Sequence, residues 1–285
     1  MNTTAIPKSP TTTRIARRFA ELRRDSQMGL VAFLTAGDPS LAATESLVLA
    51  LAEAGADVVE LGVPFSDPVA DGPAIQRSSE RALRAGTTLA GVLDVVRAVR
   101  KKSDVALVLF SYYNPVLQMG LTRFAESAAV AGADGALITD LTPEESGDYR
   151  RAVTKRGLDT IFLAAPTTPD GRMSRIAKCS SGFLYLISRT GVTGTKKSLP
   201  EDLPGLVRRV RRMTSLPIAV GFGISEPGHV SLLGGLADAA VVGSALVEEI
   251  ERAATVEDAR AAVAARVRTL KQAGLQGMSR RELRP

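Results

Sequence analysis

One cysteine, Cys179, and one histidine, His229, stand among 285 residues, and tryptophan is missing altogether. A lone thiol excludes an internal disulfide framework, and one imidazole beside it leaves too few nitrogen and sulfur ligands for a transition-metal cluster. Zinc chemistry and Ser-His-Asp or Cys-His catalysis are disfavoured on the same ground. Aromatic residues make up only 4% of the chain, and Phe19 alone stands among the clustered arginines, so the stacking platform of a single-strand-binding protein is lacking. No apolar run approaches the roughly 20 residues of a membrane span. Acidic residues are late to appear, the first being Glu21.

What is present describes a globular protein. Hydrophobic residues form 45% of the chain and charged ones 23%, and a chain of this length buries roughly 75% of its unfolded surface without staples. The net charge of +6 comes from arginines at 14, 17, 18, 23 and 24, at 208, 209, 211 and 212, and at 280, 281 and 284. These read as solvated helix faces rather than a nucleic-acid surface. The Ser/Thr/Arg-rich start superficially resembles an organelle transit peptide, but Ile15, Phe19 and Leu22 fall at helical spacing and predict a short amphipathic helix over Thr13–Arg24 docked on the body. Residues 1–12 read as a disordered lead-in and 271–285 as a basic tail. No secretory apolar region follows the start, and the expected compartment is the cytoplasm.

From Gly29 onward short apolar runs alternate with segments of helical period. The strand expectations are Leu30–Leu34, Val58–Leu61, Ala106–Phe110, Gly135–Ile138, Thr160–Ala164, Phe183–Ile187, Ile218–Gly221 and Ala239–Val242, each followed by a helical segment. Helices are expected at Pro143–Lys155 and Val256–Leu270, among others. The phrase Ala-Gly-Ala-Asp occurs at 54–57 and again at 131–134, placing a helix-ending glycine and an acidic turn ahead of a strand. This cadence predicts one (β/α)8 TIM barrel with an extra N-terminal helix, over residues 1–285 as a single domain. An open doubly wound sheet would carry a Gly-rich dinucleotide loop after its first strand, and Thr35-Ala-Gly-Asp-Pro39 is not one.

Barrel chemistry sits at the C-terminal strand ends. There Glu60 interrupts an apolar strand, where desolvation would raise its pKa and suit it to give and take a proton; the alternative is a glutamate paired with a lysine or turned outward. Asp71 follows in a loop stiffened by Pro64, Pro68 and Pro73, and could equally be an ordinary turn residue beside Gly72. Gly194, Gly223 and Gly243 with Ser244 suggest a phosphate site made from main-chain N–H groups and a helix N-terminus, although a serine there also reads as a helix cap.

These segments, namely Glu60-Leu-Gly-Val-Pro-Phe-Ser-Asp-Pro-Val-Ala-Asp-Gly-Pro73, Tyr112-Tyr-Asn-Pro115, Ala165-Pro-Thr-Thr-Pro169, Gly191-Val-Thr-Gly194, Gly221-Phe-Gly-Ile-Ser225 and Gly243-Ser-Ala245, resemble the alpha subunit of tryptophan synthase, in the family's order. The resemblance implies cleavage of indole-3-glycerol phosphate to indole and glyceraldehyde 3-phosphate, with no metal or cofactor in this subunit. It implies that Glu60 is the acid/base group and that Asp71 receives the indole N–H. By the same matching, Gly194, Gly223, Gly243 and Ser244 would hold the phosphate, and Phe33, Tyr112, Tyr185 and Phe222 would line the indole pocket. The run from Arg189 to Pro200 resembles the family's lid, whose closure would bring Thr193 near Asp71. The implied partner is a pyridoxal-phosphate beta subunit in an alpha2-beta2 heterotetramer. Asp67 and the Tyr112–Met119 loop would lie on its docking surface, unless Asp67 merely caps a turn.

Other readings are a different phosphate-binding barrel, such as an indole-glycerol-phosphate synthase or an isomerase, and a regulatory subunit without catalysis. A synthase needs a lysine acid near a strand end, and none of the expected strands contains lysine. The presence of both Glu60 and Asp71 speaks against a purely regulatory subunit.

Overall fold

The computed structural model describes residues 12–188, 200–221 and 223–282. Its strands are β1 (Gly29–Thr35), β2 (Val58–Gly62), β3 (Ala106–Ser111), β4 (Gly135–Ile138), β5 (Asp159–Ile161), β6 (Leu163–Ala164), β7 (Leu184–Ile187), β8 (Ile218–Gly221) and β9 (Ala239–Val242). All pair in parallel, in the order β5-β4-β3-β2-β1-β9-β8-β7-β6. The two ends of that order, β5 and β6, are separated in sequence by Phe162 alone, so the chain itself joins the sheet's edges into a barrel. The expected fifth strand, Thr160–Ala164, is thus two short pieces that pair with different neighbours.

The helices are α1 (Arg14–Arg24), α2 (Leu41–Glu53), α3 (Pro73–Arg84), α4 (Leu89–Arg100), α5 (Tyr113–Met119), α6 (Leu121–Ala131), α7 (Gly147–Lys155), α8 (Asp170–Cys179), α9 (Leu203–Arg211), α10 (Pro227–Leu233), α11 (Ser244–Arg252) and α12 (Val256–Glu282). Three differ from expectation. Helix α5 falls in a segment read as a loop. Helix α7 starts later than Pro143, because Glu145 N–H returns to the Thr142 carbonyl at 3.1 Å and the Ser146 hydroxyl to that of Pro143 at 2.9 Å, making a turn. Helix α12 runs past Leu270 into the expected tail, held by Lys271, whose ammonium reaches Asp57 Oδ2 at 2.5 Å and the Met28 carbonyl at 3.1 Å. None of the described helices is long and apolar enough to cross a membrane.

Most strands are apolar on both faces because one face lines the barrel and the other meets helices, β5 with Asp159 and Thr160 being an exception. In β2, Val59 and Leu61 pack outward with Leu47, Leu51 and Val96, whereas Val58 points inward among Val31, Val108 and Val241. Alternation puts Glu60 on the inward face with Val58. Helix α1 closes the opposite, N-terminal end: its Ile15, Phe19 and Leu22 join the same interior cluster, each contributing about 1.5–3 kcal/mol on burial.

The repeated Ala-Gly-Ala-Asp phrase acts as a clip. Gly132 ends α6 with a left-handed φ of +94°, which a side chain would resist, and the carboxylate of Asp134 then accepts the Leu107 N–H at 2.8 Å. Asp57 takes the Leu30 N–H at 2.6 Å in the same way, and Asp238 takes that of Ile218 at 2.7 Å. Arg18 pairs with Asp57 at 2.8 Å and Arg14 with Asp134 at 3.2 Å, which ties α1 to these junctions. Part of the basic start is therefore spent within the fold.

Candidate active site

Glu60 lies level with Phe33 of β1 and Val108 of β3 in the strand register. It is 1% exposed, and neither carboxyl oxygen has a hydrogen-bond partner. Lysine pairing and outward orientation, the alternatives open from sequence, are both ruled out. Burial alone pushes its pKa from 4.5 up to about 8, because an ion without partners in this surrounding loses its hydration. Burial thus favours the uncharged acid at neutral pH.

Asp71 stands between the 63–70 loop and Gly72, the N-cap of α3, where Pro73 opens the helix. Burial pushes its carboxyl up to about 6, while a hydrogen bond from the Tyr112 hydroxyl at 3.1 Å works the other way. The same hydroxyl accepts the Ala70 N–H at 2.9 Å, and Gln76 donates to the Asp71 carbonyl at 2.9 Å. The loop is thus pinned on both sides of the carboxylate, which is more than the ordinary turn residue would need.

Both acids open into one cavity of about 380 Å³ at the C-terminal mouth of the barrel. Phe33, Phe110, Tyr185 and Val241 supply its apolar wall, and the Phe33 and Phe110 rings meet edge to face at 5.2 Å. Glycines at the strand ends make room for the rings. A Cβ on Gly62 would stand 2.6 Å from Phe33 Cζ, and one on Gly221 would lie 2.8 Å from Tyr185 ring carbons.

The far side of the cavity is formed by Gly223, Gly243 and Ser244. Gly243 is the N-cap of α11, and no side chain caps that helix. Ser244 is therefore the first helical residue rather than the cap that its sequence also allowed. First-turn N–H groups have no acceptor inside a helix, and the macrodipole is positive there, so this end is suited to an anion.

Seven expected site residues thus share one cavity: Glu60, Asp71, Phe33, Tyr185, Gly223, Gly243 and Ser244. Tyr112 is one hydrogen bond behind, acting on Asp71. Asp67 is exposed in the loop and accepts the Ser66 hydroxyl at 2.5 Å, away from the cavity. Thr193, Gly194 and Phe222, with the expected lid, lie outside the described residues. Sequence reasoning missed Phe110, Ile224, Ser225 and Arg266, which also line the cavity. Phe110 had a signal, a bulky residue at the end of an apolar strand. Arg266, far along α12, had none.

Comparisons with known proteins give the family. The family model of the tryptophan synthase alpha chain matches residues 19–275. The alpha chain of Solibacter usitatus is 55% identical over 84% of this chain and 90% of its own, and that of Geobacter sulfurreducens is 52% identical over 86% and 92%. Among solved structures, the alpha subunit from Legionella pneumophila superposes with a TM-score of 0.83 at 38% identity, covering 93% of this chain and 99% of that one. A chain of Mycobacterium tuberculosis tryptophan synthase gives 0.84 at 33% identity, covering 92% and 98%. A family model spanning nearly the whole barrel, and relatives about half identical over most of both chains, establish that this chain belongs to the tryptophan synthase alpha chain family.

Proposed function

We propose that this barrel catalyses its family's alpha reaction with Glu60 as the acid/base group and Asp71 as the anion that stabilises the intermediate. As a tryptophan synthase alpha chain the protein is a lyase that cleaves indole-3-glycerol phosphate and passes indole to a beta subunit. Uncharged Glu60 gives its proton to C3 of the indole ring, and positive charge develops on the ring nitrogen. Asp71, ionised at neutral pH, accepts the indole N–H and binds that charged tautomer more strongly than the neutral substrate. The Glu60 carboxylate then helps take the proton from the hydroxyl on the carbon attached to C3. The C–C bond breaks, its electrons return to the ring, and the carbinol carbon becomes the aldehyde of glyceraldehyde 3-phosphate. One proton is given and one taken, so Glu60 ends as it began.

In this reading Phe33, Tyr185 and Phe222 flank the ring, and Tyr112 orients Asp71. Gly223, Gly243 and Ser244, with Gly194, receive the phosphate through main-chain N–H groups. Closure of the 189–200 lid brings Thr193 toward Asp71 and excludes water. The steps use only carboxyl groups, so no metal or cofactor is assigned to this chain, and pyridoxal phosphate belongs to the beta subunit. Asp67 and the exposed Val69 and Leu117, at 78% and 51%, are assigned to the docking surface. One barrel domain over residues 1–285 and a cytoplasmic location complete the proposal; the continuous sheet with α1 and α12 packed on it supports the former.

A single observation carries this reading: a buried carboxyl without a hydrogen-bond partner, in the same cavity as a second carboxyl held in place by Tyr112. The test is incubation of the purified protein with indole-3-glycerol phosphate, with and without a beta subunit, following indole. Release that the beta subunit accelerates is expected. Silence in both arms favours the regulatory alternative.

A further inference from the structure

A phosphate monoester carries about −1.5 to −2 charges at pH 7, whereas a helix N-terminus offers about half a positive charge. The glycine-lined end therefore leaves most of the substrate's charge unbalanced. It is worse than unbalanced, because two carboxylates, Glu226 and Glu248, line the same cavity, and Glu249 stands beside them. Two arginines line the cavity among the described residues, Arg77 and Arg266. Arg77 is committed: its guanidinium grips both oxygens of Glu251, at 2.8 and 2.7 Å.

Arg266 is not committed in that way. It projects from α12, and its side chain is 27% exposed. One hydrogen bond, from Nη2 to Glu249 Oε1 at 3.0 Å, orients the guanidinium. Its other carboxylate neighbour, Glu226 Oε2, is 3.9 Å from Nη1, beyond hydrogen-bond reach. A guanidinium has five N–H donors in a planar fork suited to phosphate oxygens, and most of these remain unspent. We infer that Arg266 is a further substrate-binding residue: it balances the phosphate charge at the glycine-lined end and neutralises the Glu226–Glu248 rim that would otherwise repel it. The inference rests on the phosphate assignment proposed above and adds to it a side-chain cation from outside the glycine motifs.

The test uses the full-length protein, with Arg266→Gln and Arg266→Lys as variants and glycerol 3-phosphate as competitor. Arg266→Gln should raise KM for indole-3-glycerol phosphate and Ki for glycerol 3-phosphate together, by about 10-fold, the scale of one charge-assisted contact, with kcat little changed. Arg266→Lys, which keeps the charge but loses the planar fork, should fall between wild type and Arg266→Gln in both. The ratio of variant to wild-type KM should shrink as salt rises, because screening removes the exposed rim's repulsion. A purely structural role would move kcat or thermal stability without that salt dependence. If glycerol 3-phosphate competes equally well against wild type and Arg266→Gln, the assignment of Arg266 is wrong while the glycine-lined site stands. If it fails to compete even in the wild type, the phosphate assignment falls and takes this inference with it.

Discussion

The Tyr112 hydroxyl donates to Asp71 Oδ2 at 3.1 Å while accepting the Ala70 N–H at 2.9 Å, so one atom fixes both the carboxylate and the loop that carries it. Removing the hydroxyl leaves the buried Asp71 carboxylate and the Ala70 N–H each short of a partner. Tyr112→Phe should therefore lower kcat by about 10-fold, a loss of roughly 1.4 kcal/mol in transition-state stabilisation, and change KM less. Asp71→Asn, which removes the anion itself, should cost more while the fold remains intact. Steady-state indole release distinguishes the two, and wild-type rates for Asp71→Asn would refute its role.

The two acids set opposite limits on activity. Asp71 must be ionised and titrates near 6, and Glu60 must hold its proton and titrates near 8. A bell-shaped profile of kcat/KM with limbs near those values is expected, the acid limb from Asp71 and the basic limb from Glu60. In Tyr112→Phe the acid limb should move up, since the lost hydrogen bond is the one that favours the Asp71 anion. Rate measurements across the range from pH 5 to 9 check both statements.

Stability should respond to the same protons. The Glu60 and Asp71 pKa values are both raised in the folded state, so folded protein holds protons that the unfolded chain loses from about pH 4 upward. Their contribution is fully present below those ordinary values and is lost as pH rises through 6 and then 8. Glu60→Gln should flatten the decline between pH 5 and 8 in thermal or denaturant melts. An unchanged slope would mean that Glu60 is ionised in the fold.

Helix α1 is an integral plug rather than an appendage. Phe19 is buried against Phe183, with ring centroids 5.8 Å apart at the closed end of the barrel. Phe19→Ala should cost about 3–5 kcal/mol of stability, the usual range for a buried aromatic truncated to alanine. Urea denaturation measures this directly, and a cost under about 1 kcal/mol would show that α1 is dispensable.

Much of this was legible in the chain, for reasons that can be named. A carboxylate inside Val-Val-Glu-Leu-Gly breaks an apolar strand, so Glu60 announced itself, and Ile15, Phe19 and Leu22 gave α1 by spacing alone. The break at Phe162 was hidden because Thr-Ile-Phe-Leu-Ala reads as one continuous strand, and only its pairing to opposite neighbours divides it. Helix α5 was masked by Pro115 in its first turn, a residue that also signals a loop. Arg266 could not be seen, because its place at the cavity depends on how α12 packs across α10 and α11 rather than on any local pattern.

The most direct test of the central claim compares wild type with Glu60→Gln for indole release from indole-3-glycerol phosphate, with substrate binding measured alongside. A proton held at a partnerless buried carboxyl and delivered to carbon predicts a loss of at least about 100-fold in rate with binding retained. Turnover at the wild-type rate in Glu60→Gln would contradict it.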